Sequence, residues 1–281
     1  MKVNIGEEQP INYNETIAKL KGINKVIFVG GISPALEGEE MPVRIDGFAG
    51  GDRTSIELPK VQRDFIAALK KAGKQIIYVN CSGSAIALTP ETKNCEAIVQ
   101  AWYAGQEGGT AVADVLFGDV NPSGKLPVTF YTDDSQLPDF EDYSMQNRTY
   151  RYFKGKPLFS FGYGLSYTTF KIGKATIING KEGKDDVISI PVTNTGKKEG
   201  TEIVQLYVKD PKDVSGPQLT LKGFQRISLK PGETATVKLS LGDKVRELFD
   251  ASTNTVHPIN HTLNLYYGTS SVKENLNQIN Y

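Results

Sequence analysis

Three glutamates on one short segment are the side chains of this chain best suited to acid–base chemistry. Glu37, Glu39 and Glu40 lie within residues 33–53, SPALEGEEMPVRIDGFAGGDR. Carboxylates crowded on one loop repel each other when ionised, and a partly desolvated one keeps its proton to higher pH. A glutamate in that state can act as a general acid. The alternative is a solvated acidic loop, which composition alone favours because charge runs usually form solvated surfaces.

The sequence contains few candidate residues for other kinds of catalytic site. Both histidines, His257 and His261, fall in the later, β-rich part of the chain. That position argues against a His/Cys metal site and against a Ser-His-Asp constellation in the earlier part. The pair Gly30 and Gly31 is followed by neither Gly-x-Gly-x-x-Gly nor Gly-Lys-Ser/Thr, so a tight turn after a strand is the better interpretation. The sequence therefore predicts no metal and no cofactor.

The two cysteines, Cys81 and Cys95, lie on separate predicted elements. Two cysteines could pair, but they do not make the disulfide framework that holds small secreted domains together. A buried free thiol is the commoner state of a cysteine in a globular protein. We therefore expect two free thiols, which indicate little about the cellular compartment.

The bulk composition limits the classes of partner. With 281 residues, of which 39% are hydrophobic and 23% charged, the chain is typical of a globular protein with one large domain or two ordinary ones. Lys plus Arg and Asp plus Glu both total 32, so no basic excess points to nucleic acid. No apolar run reaches the length of a membrane span, and the amino terminus lacks the apolar core of a signal peptide. The composition therefore predicts neither nucleic-acid binding nor membrane insertion.

The first part of the chain alternates strand-like runs with helical patterns. Strands are predicted at residues 25–30, 75–80, 97–102 and 125–130, and helices at residues 58–72 and 107–116. Strands that alternate with helices indicate a mostly parallel sheet covered on both faces, that is, a layered α/β/α sandwich. The acidic residues follow the first strand, at the carboxyl edge where open α/β sheets place their ligand sites.

The later part of the chain changes to short alternating strands separated by turn signals. These strands are predicted at residues 187–193, 201–209, 221–229, 234–241 and 261–267. Regular short strands without helices favour an antiparallel, immunoglobulin-like or fibronectin-III-like β-sandwich. We place the α/β sandwich domain at residues 1–165 and the β-sandwich domain at residues 166–281, with a long loop over residues 133–156.

Five stretches, in order along the chain, resemble the C-terminal region of family 3 glycoside hydrolases of the β-glucosidase and β-xylosidase type. They are residues 52–59 (DRTSIELP), 102–130 (WYAGQEGGTAVADVLFGDVNPSGKLPVTF), 159–170 (FSFGYGLSYTTF), 192–208 (VTNTGKKEGTEIVQLYV) and 221–233 (LKGFQRISLKPGE). The resemblance implies an enzyme with an N-terminal (β/α) barrel, an α/β sandwich and a fibronectin-III-like module, of which this chain begins after the barrel. It also implies retaining, exo-acting hydrolysis of β-linked glucosides or xylosides. The sequence does not decide between these two sugars.

The resemblance further implies where the two catalytic carboxyl groups lie. Retaining glycosidases hold them about 5–5.5 Å apart, one as nucleophile and one as acid and then base. The family's nucleophile is an aspartate on the barrel, and its acid/base comes from the loop that corresponds to residues 33–53. Many relatives carry that glutamate three positions before the Asp of a Glu-Gly-x-Asp-Arg motif, where this chain has Ala49. Alignment of GISPALEGEE with Gly-Ile-x-x-x-Ile-Glu-x-Glu-Gly places Glu39 on the acid position instead, with Glu40 and Glu37 as alternatives.

Four neighbouring residues complete the predicted site. Met41 and Phe48 are expected to form an apolar wall at the leaving-group subsite, which would raise the pKa of the glutamate by excluding water. The pair Asp52 and Arg53 matches the family's Asp-Arg pair, and we expect it to act as a structural clamp on the loop. The chain alone is expected to be inactive because the nucleophile belongs to the barrel.

Two other functions remain open at this point. The chain could be a non-catalytic carbohydrate-binding or scaffolding module, although its single tryptophan, Trp102, lies outside the β-sandwich. The α/β domain could also be an unrelated small-molecule binder. For the full-length enzyme we expect a periplasmic or secreted location, with β-linked oligosaccharides or glycosides as substrates.

Overall fold

The computed structural model describes residues 12–34, 36, 44–50, 52–180, 186–250 and 253–281. The chain divides into two compact units. One, the α/β unit, is Met1–Ala113 with Phe130–Asp139, and the other, the sandwich unit, is Asp114–Thr129 with Phe140–Tyr281. The domain boundary between residues 165 and 166 stays a prediction.

The α/β unit is built around a three-stranded parallel sheet. Its elements are α1 (Tyr13–Ala18), β1 (Lys25–Gly31), β2 (Arg44–Ile45), β3 (Phe48–Ala49), β4 (Asp52–Arg53), α2 (Lys60–Lys71), β5 (Gln75–Cys81), α3 (Thr89–Asn94), β6 (Ala97–Gln100) and the first part of α4 (Gly108–Phe117). Strands β1, β5 and β6 are parallel neighbours in that order, whereas β2, β3 and β4 form a small antiparallel sheet. The predicted α/β organisation with a parallel sheet is confirmed.

Helix α2 attaches to this sheet through an apolar stripe at helical spacing. Phe65 and Leu69, four residues apart, are both buried, as the sequence periodicity predicts. The Phe65 ring meets the edge of Phe28 on β1, with ring centres 5.8 Å apart, and Phe28 in turn packs against Tyr78 on β5. Burial of each such side chain stabilises the fold by about 1.5–3 kcal/mol. Helix α2 is therefore a firmly held platform beside the carboxyl edge of the sheet.

The sandwich unit is almost entirely antiparallel. Its elements after α4 are α5 (Thr149–Tyr152), β7 (Phe170–Ile172), β8 (Thr176–Ile178), β9 (Val187–Asn194), β10 (Gly200–Lys209), β11 (Thr220–Leu229), β12 (Thr234–Ser240), α6 (Asp243–Arg246), β13 (Glu247–Asp250), β14 (Thr255–Pro258), β15 (Asn264–Gly268) and β16 (Asn277–Asn280). One sheet has the order β11-β10-β15-β16, and the other has the order β12-β9-β7, with β8 also pairing with β9. Strands β13 and β14 form a separate hairpin. The predicted antiparallel β-sandwich is confirmed.

The core of the sandwich unit follows the two-residue period of its strands. Ile188, Ile190 and Val192 on β9 are fully buried, with partly buried residues between them. They belong to one apolar cluster with Leu206 on β10 and Leu265 on β15. Side chains that alternate between two faces place every second residue of each strand inside, which is the pattern the sequence shows.

Two local predictions were wrong. Residues 125–130 form no strand in the described structure, because Pro127 has no N–H with which to continue a ladder. Leu126 makes two backbone hydrogen bonds there: its N–H donates to Tyr163 O at 2.8 Å and its carbonyl accepts from Gly162 N at 2.7 Å. The tight turn predicted at Gly30 and Gly31 also does not form, since both glycines are the last residues of β1.

Both cysteines are free, as predicted, but they are half-buried rather than buried. Burial, and then the negative charge of Glu91, raises the pKa of the Cys95 thiol to about 12. Burial also raises the pKa of the Cys81 thiol. Because the thiolate is the reactive form, neither sulfur has the character of a catalytic nucleophile.

Candidate functional site

The acidic segment, residues 33–53, begins two residues after β1 ends, at the carboxyl edge of the parallel sheet. The glutamates at its centre, Glu37, Glu39 and Glu40, lie outside the described residues, as does Met41. The described parts are the start of the segment and the β2–β4 sheet that forms its end. These two ends show how the fold holds the segment.

The start of the acidic segment is fixed by Gln62, a buried residue of α2. The Gly31 N–H donates to Gln62 Oε1 at 2.8 Å, and Gln62 Nε2 donates to Gly31 O at 2.6 Å. The next residue, Ile32, donates its N–H to Cys81 O at 2.9 Å. Gly31 has φ +122°, and a Cβ on it would lie 2.0 Å from Cys81 O, so only glycine fits. The chain therefore leaves β1 in one defined direction.

The end of the acidic segment is a short antiparallel meander. Ala49, at the position where many relatives carry the acid, pairs with Asp52, and both are exposed. Phe48 pairs with Arg53 and is only 5% exposed, with the guanidinium carbon 6.0 Å from its ring centre. The ring thus packs inside the α/β unit, and its place in a leaving-group subsite stays a prediction.

Arg53 joins the end of the acidic segment to two other stretches of backbone. Its Nε donates to Ser55 O at 3.1 Å, and its Nη2 donates to Glu57 O at 3.3 Å. Its Nη1 donates to Ser84 Oγ at 3.1 Å, on the loop that follows β5. A charged fork with several fixed acceptors restricts its own backbone as well. This geometry suits a clamp, and the roles of Asp52 and Arg53 stay predictions.

The loop that receives Arg53 is itself supported by a polar network at the ends of β5 and β6. Asn80, which is fully buried, accepts from Tyr78 Oη at 2.7 Å and donates to Gln100 Oε1 at 2.6 Å. Gln100 Nε2 donates to Ser82 Oγ at 3.0 Å, and that hydroxyl donates to Ser84 O at 2.8 Å. A satisfied buried network of this kind selects one loop conformation. This network was not predicted from the sequence. The only sign of it in the sequence is the alternation of Tyr, Asn and Ser at positions 78, 80 and 82.

An ionic cluster around Arg63 of α2 connects the residues that follow the acidic segment with the chain that follows β5. Arg63 bonds to Glu57 Oε2 at 2.6 Å, to Glu91 Oε1 at 3.1 Å and to Ala87 O at 3.0 Å. Glu91 is 0% exposed, and its other oxygen, Oε2, has no partner in the part of the chain that the structure describes. Burial holds the pKa of the Glu91 carboxyl above its ordinary value, and the opposing charge of Arg63 acts against this shift.

Neither a cluster of metal-ligating side chains nor a membrane-spanning helix occurs among the described residues. Among them, no group of three or more His, Cys, Asp or Glu side chains is arranged to hold a metal ion. Of the two histidines, His261 has its Nε2 2.7 Å from Asp210 Oδ1 in the sandwich unit. None of the described helices combines the length and apolarity that crossing a bilayer requires.

Comparison with known families gives matches over both parts of the chain. Residues 7–167, more than half of the chain, match the glycosyl hydrolase family 3 C-terminal domain. Residues 202–271 match a fibronectin type III-like domain. These matches cover the parallel sheet with its acidic segment and the central strands of the sandwich.

Individual relatives are longer proteins. A xylan 1,4-β-xylosidase of Xylanibacter ruminicola is 62% identical over 279 residues, which are 99% of this chain and 32% of the relative. A periplasmic β-glucosidase of Salmonella typhimurium is 44% identical over 204 residues, 67% of this chain and 27% of the relative. The solved structure of a β-glucosidase from Erythrobacter marinus superposes with a TM-score of 0.80 at 32% identity, covering 95% of this chain and 35% of that one. The chain thus spans about a third of the length of these relatives.

Proposed function

This chain belongs to glycosyl hydrolase family 3, and on that premise we propose that it supplies the general acid/base to a retaining, exo-acting β-glycosidase. The observation that carries the proposal is the family match over residues 7–167, together with relatives named as β-xylosidase and β-glucosidase. The chain spans only about a third of those relatives, which supports a catalytic site completed by an N-terminal (β/α) barrel. The resemblance read from the sequence motifs is thereby confirmed at the level of the family.

The proposed reaction uses two carboxyl groups from different domains. Glu39, protonated, donates its proton to the departing glycosidic oxygen while an aspartate of the barrel attacks the anomeric carbon. A covalent glycosyl–enzyme forms and the aglycone alcohol leaves. The Glu39 carboxylate then takes a proton from water, which attacks the anomeric carbon and releases the sugar with retained configuration.

Four neighbours have supporting roles in this proposal. Met41 borders the leaving-group subsite with Phe48, and the two limit the access of water to the acid. Arg53 holds the end of the acidic segment through its bonds to Ser55, Glu57 and Ser84. Asp52 belongs to the same clamp. These roles need no cofactor.

Substitution of the acid in the full-length enzyme tests the proposal. Glu39→Ala should slow the cleavage of glycosides with poor leaving groups far more than that of activated aryl glycosides, because only the former need proton donation. Azide should restore part of the rate, because this anion can attack the anomeric carbon of the glycosyl–enzyme without a general base, displacing the aspartate and forming a glycosyl azide. If Glu40→Ala or Glu37→Ala shows this pattern instead, the acid lies at that position. If none of the three does, the proposed role of the acidic segment is wrong.

The isolated chain provides a second test. It should not hydrolyse aryl β-xylosides or β-glucosides, because the nucleophile is contributed by the barrel. Addition of the separately produced barrel should restore turnover. Clear hydrolysis by the pure chain alone would contradict the two-carboxylate proposal.

The relatives support proposals for the sugar and for the compartment. The higher identity to a xylan β-xylosidase than to a β-glucosidase favours xylosides as the first substrates to test. The similarity to a periplasmic β-glucosidase supports a periplasmic or secreted location for the full-length enzyme. Fractionation of cells that express it, with activity assayed on both aryl glycosides, tests both proposals.

A further inference from the structure

Two successive residues of helix α2 hold the two ends of the acidic segment. Gln62 binds the backbone where the segment starts, and Arg63 binds the stretch that follows its end. We propose that Gln62 and Arg63 are positioning residues for the general acid, a role that rests on the proposed function of this segment. Neither residue would touch the substrate.

The contact of Gln62 is the more restrictive of the two. Its amide uses one acceptor and one donor on the same residue, Gly31, at 2.8 and 2.6 Å. Gln62 is 2% exposed, so these bonds are shielded from competing water. Loss of the amide would leave both the N–H and the carbonyl of Gly31 without this partner at the point where the chain departs from the sheet.

Arg63 acts through Glu57, four residues beyond Arg53. Its Nη1 binds the Glu57 carboxylate at 2.6 Å, while the backbone carbonyl of Glu57 accepts from Arg53 Nη2 at 3.3 Å. Glu57 also pairs with Ala87 in an isolated parallel bridge, and Arg63 Nη2 donates to the Ala87 carbonyl at 3.0 Å. The end of the acidic segment is therefore tied to α2 through Glu57 and Ala87 together.

Both ends of the acidic segment bind the same helix, so their positions depend on each other. Helix α2 is anchored to the parallel sheet by buried residues, so Gln62 and Arg63 are held fixed relative to each other. Proton transfer requires heavy atoms within hydrogen-bond distance, and a displacement of about 1 Å can cost about 100-fold in rate. A shift of either end would change the points from which the acidic segment extends, and the proposal is that this alters the alignment of the acid.

The test uses the full-length enzyme and two classes of substrate. Gln62→Leu and Arg63→Met should each lower kcat for glycosides with poor leaving groups by about 10–100-fold, with a smaller loss for activated aryl glycosides. KM should change by less than about threefold, since the contacts to the sugar are retained. Arg63→Lys, which keeps one charged bond to Glu57, should recover part of the loss. Lys70→Gln, on the same helix in an exposed pair with Glu96, is the control and should leave both rates unchanged.

Several results would overturn the proposal. One is an equal loss for both substrate classes, and another is a lower melting temperature with unchanged rates; either would mean that the two residues are merely structural. If Gln62→Leu does not fold, Gln62→Glu replaces it in the test. This variant keeps the oxygen that accepts from the Gly31 N–H and has a carboxylate oxygen in place of the donating Nε2. It is judged by the same ratio of kcat values for the two substrate classes. If Glu39, Glu40 and Glu37 variants all lack leaving-group dependence, the proposed function itself fails. If a glutamate variant shows that dependence and the α2 variants do not, only this inference fails.

Discussion

The α/β unit and the sandwich unit use their buried polar side chains differently. In the sandwich unit, the buried Asn194 donates to the carbonyls of Lys198 and Leu229 and so satisfies backbone groups at the ends of strands. In the α/β unit, Asn80 and Glu91 bind other side chains and thereby connect stretches of chain that are distant in sequence. The main cluster of buried residues in the sandwich unit is made of apolar and tyrosine side chains. The comparison indicates that apolar burial dominates the sandwich unit, whereas the buried polar contacts of the α/β unit also support the loops beside the acidic segment.

The largest effect is expected from a cavity in the sandwich core. Leu206→Ala removes a fully buried side chain from the apolar cluster and should lower the free energy of unfolding by about 2–5 kcal/mol. Urea unfolding followed by far-UV circular dichroism measures the loss. Val214→Ala, at a position that is 93% exposed, is the control and should change it by less than about 0.5 kcal/mol. A small loss for Leu206→Ala would break the comparison, since the core would then tolerate a cavity.

A smaller effect is expected from the polar network of the α/β unit. Asn80→Leu leaves the Tyr78 hydroxyl and the Gln100 amide without their shared partner and should cost about 1–3 kcal/mol. The fluorescence of Trp102, the only tryptophan of the chain, reports on this unit during unfolding. Gln75→Leu, at an exposed position of the same strand, should leave the transition nearly unchanged. Equal midpoints for the two variants would contradict a structural role for the network.

The buried carboxyl group of Glu91 should make the free energy of unfolding depend on pH. Its carboxyl has a raised pKa in the folded protein, mainly through burial, so the folded state holds this proton more tightly than the unfolded chain. The contribution of Glu91 to the free energy of unfolding should therefore decrease as pH rises from about 4.5 through the raised pKa. Glu91 faces Arg63, Glu57, Tyr78 and Cys95, and Arg63 limits the decrease.

Glu91→Gln isolates that contribution. Unfolding curves at several pH values between 4 and 8, followed by Trp102 fluorescence, should show a flatter decrease with pH than the unchanged protein. An identical slope for both proteins would mean that the Glu91 proton is bound equally in the folded and unfolded states.

The smallest effect is expected at an exposed ion pair of the α/β unit. Lys70 Nζ lies 2.9 Å from Glu96 Oε1, with both side chains well exposed, and such pairs are worth about 0–1 kcal/mol. Lys70→Ala should therefore shift the unfolding midpoint only slightly, and less at 1 M salt, where the charges are screened. A loss as large as that of Asn80→Leu would remove the distinction between buried and exposed polar contacts.

The regular elements could be predicted because their patterns are local. β-Branched runs identified β1 and β5, the apolar spacing of residues 61–69 identified α2, and alternation identified β9 and β10. Short elements escaped prediction, such as α3 with its TPETKN sequence, which forms at a polar stretch. Their formation depends on packing and on side-chain bonds from elsewhere in the chain rather than on their own propensity.

The support of the candidate site could be predicted only in part. The Asp-Arg motif singled out Arg53, but its acceptors at Ser55, Glu57 and Ser84 are set by the folded loops. Gln62 appears in the sequence as an ordinary helical residue, because its partner Gly31 lies 31 positions away. Contacts of this length depend on the register between β1, α2 and β5, which no single stretch of sequence determines.

The backbone at Gly31 also limits how the acidic segment could be varied in the laboratory. In a saturation library at this position, every side chain would begin 2.0 Å from the Cys81 carbonyl, so glycine alone should survive selection. Gly30 is less restricted: a Cβ there would lie 2.4 Å from Gln62 Oε1, the end of a side chain that would have to shift away from its bonds to Gly31. Variation of the acidic segment is therefore best confined to codons downstream of Ile32, with Gly31 kept as the fixed point from which altered segments extend.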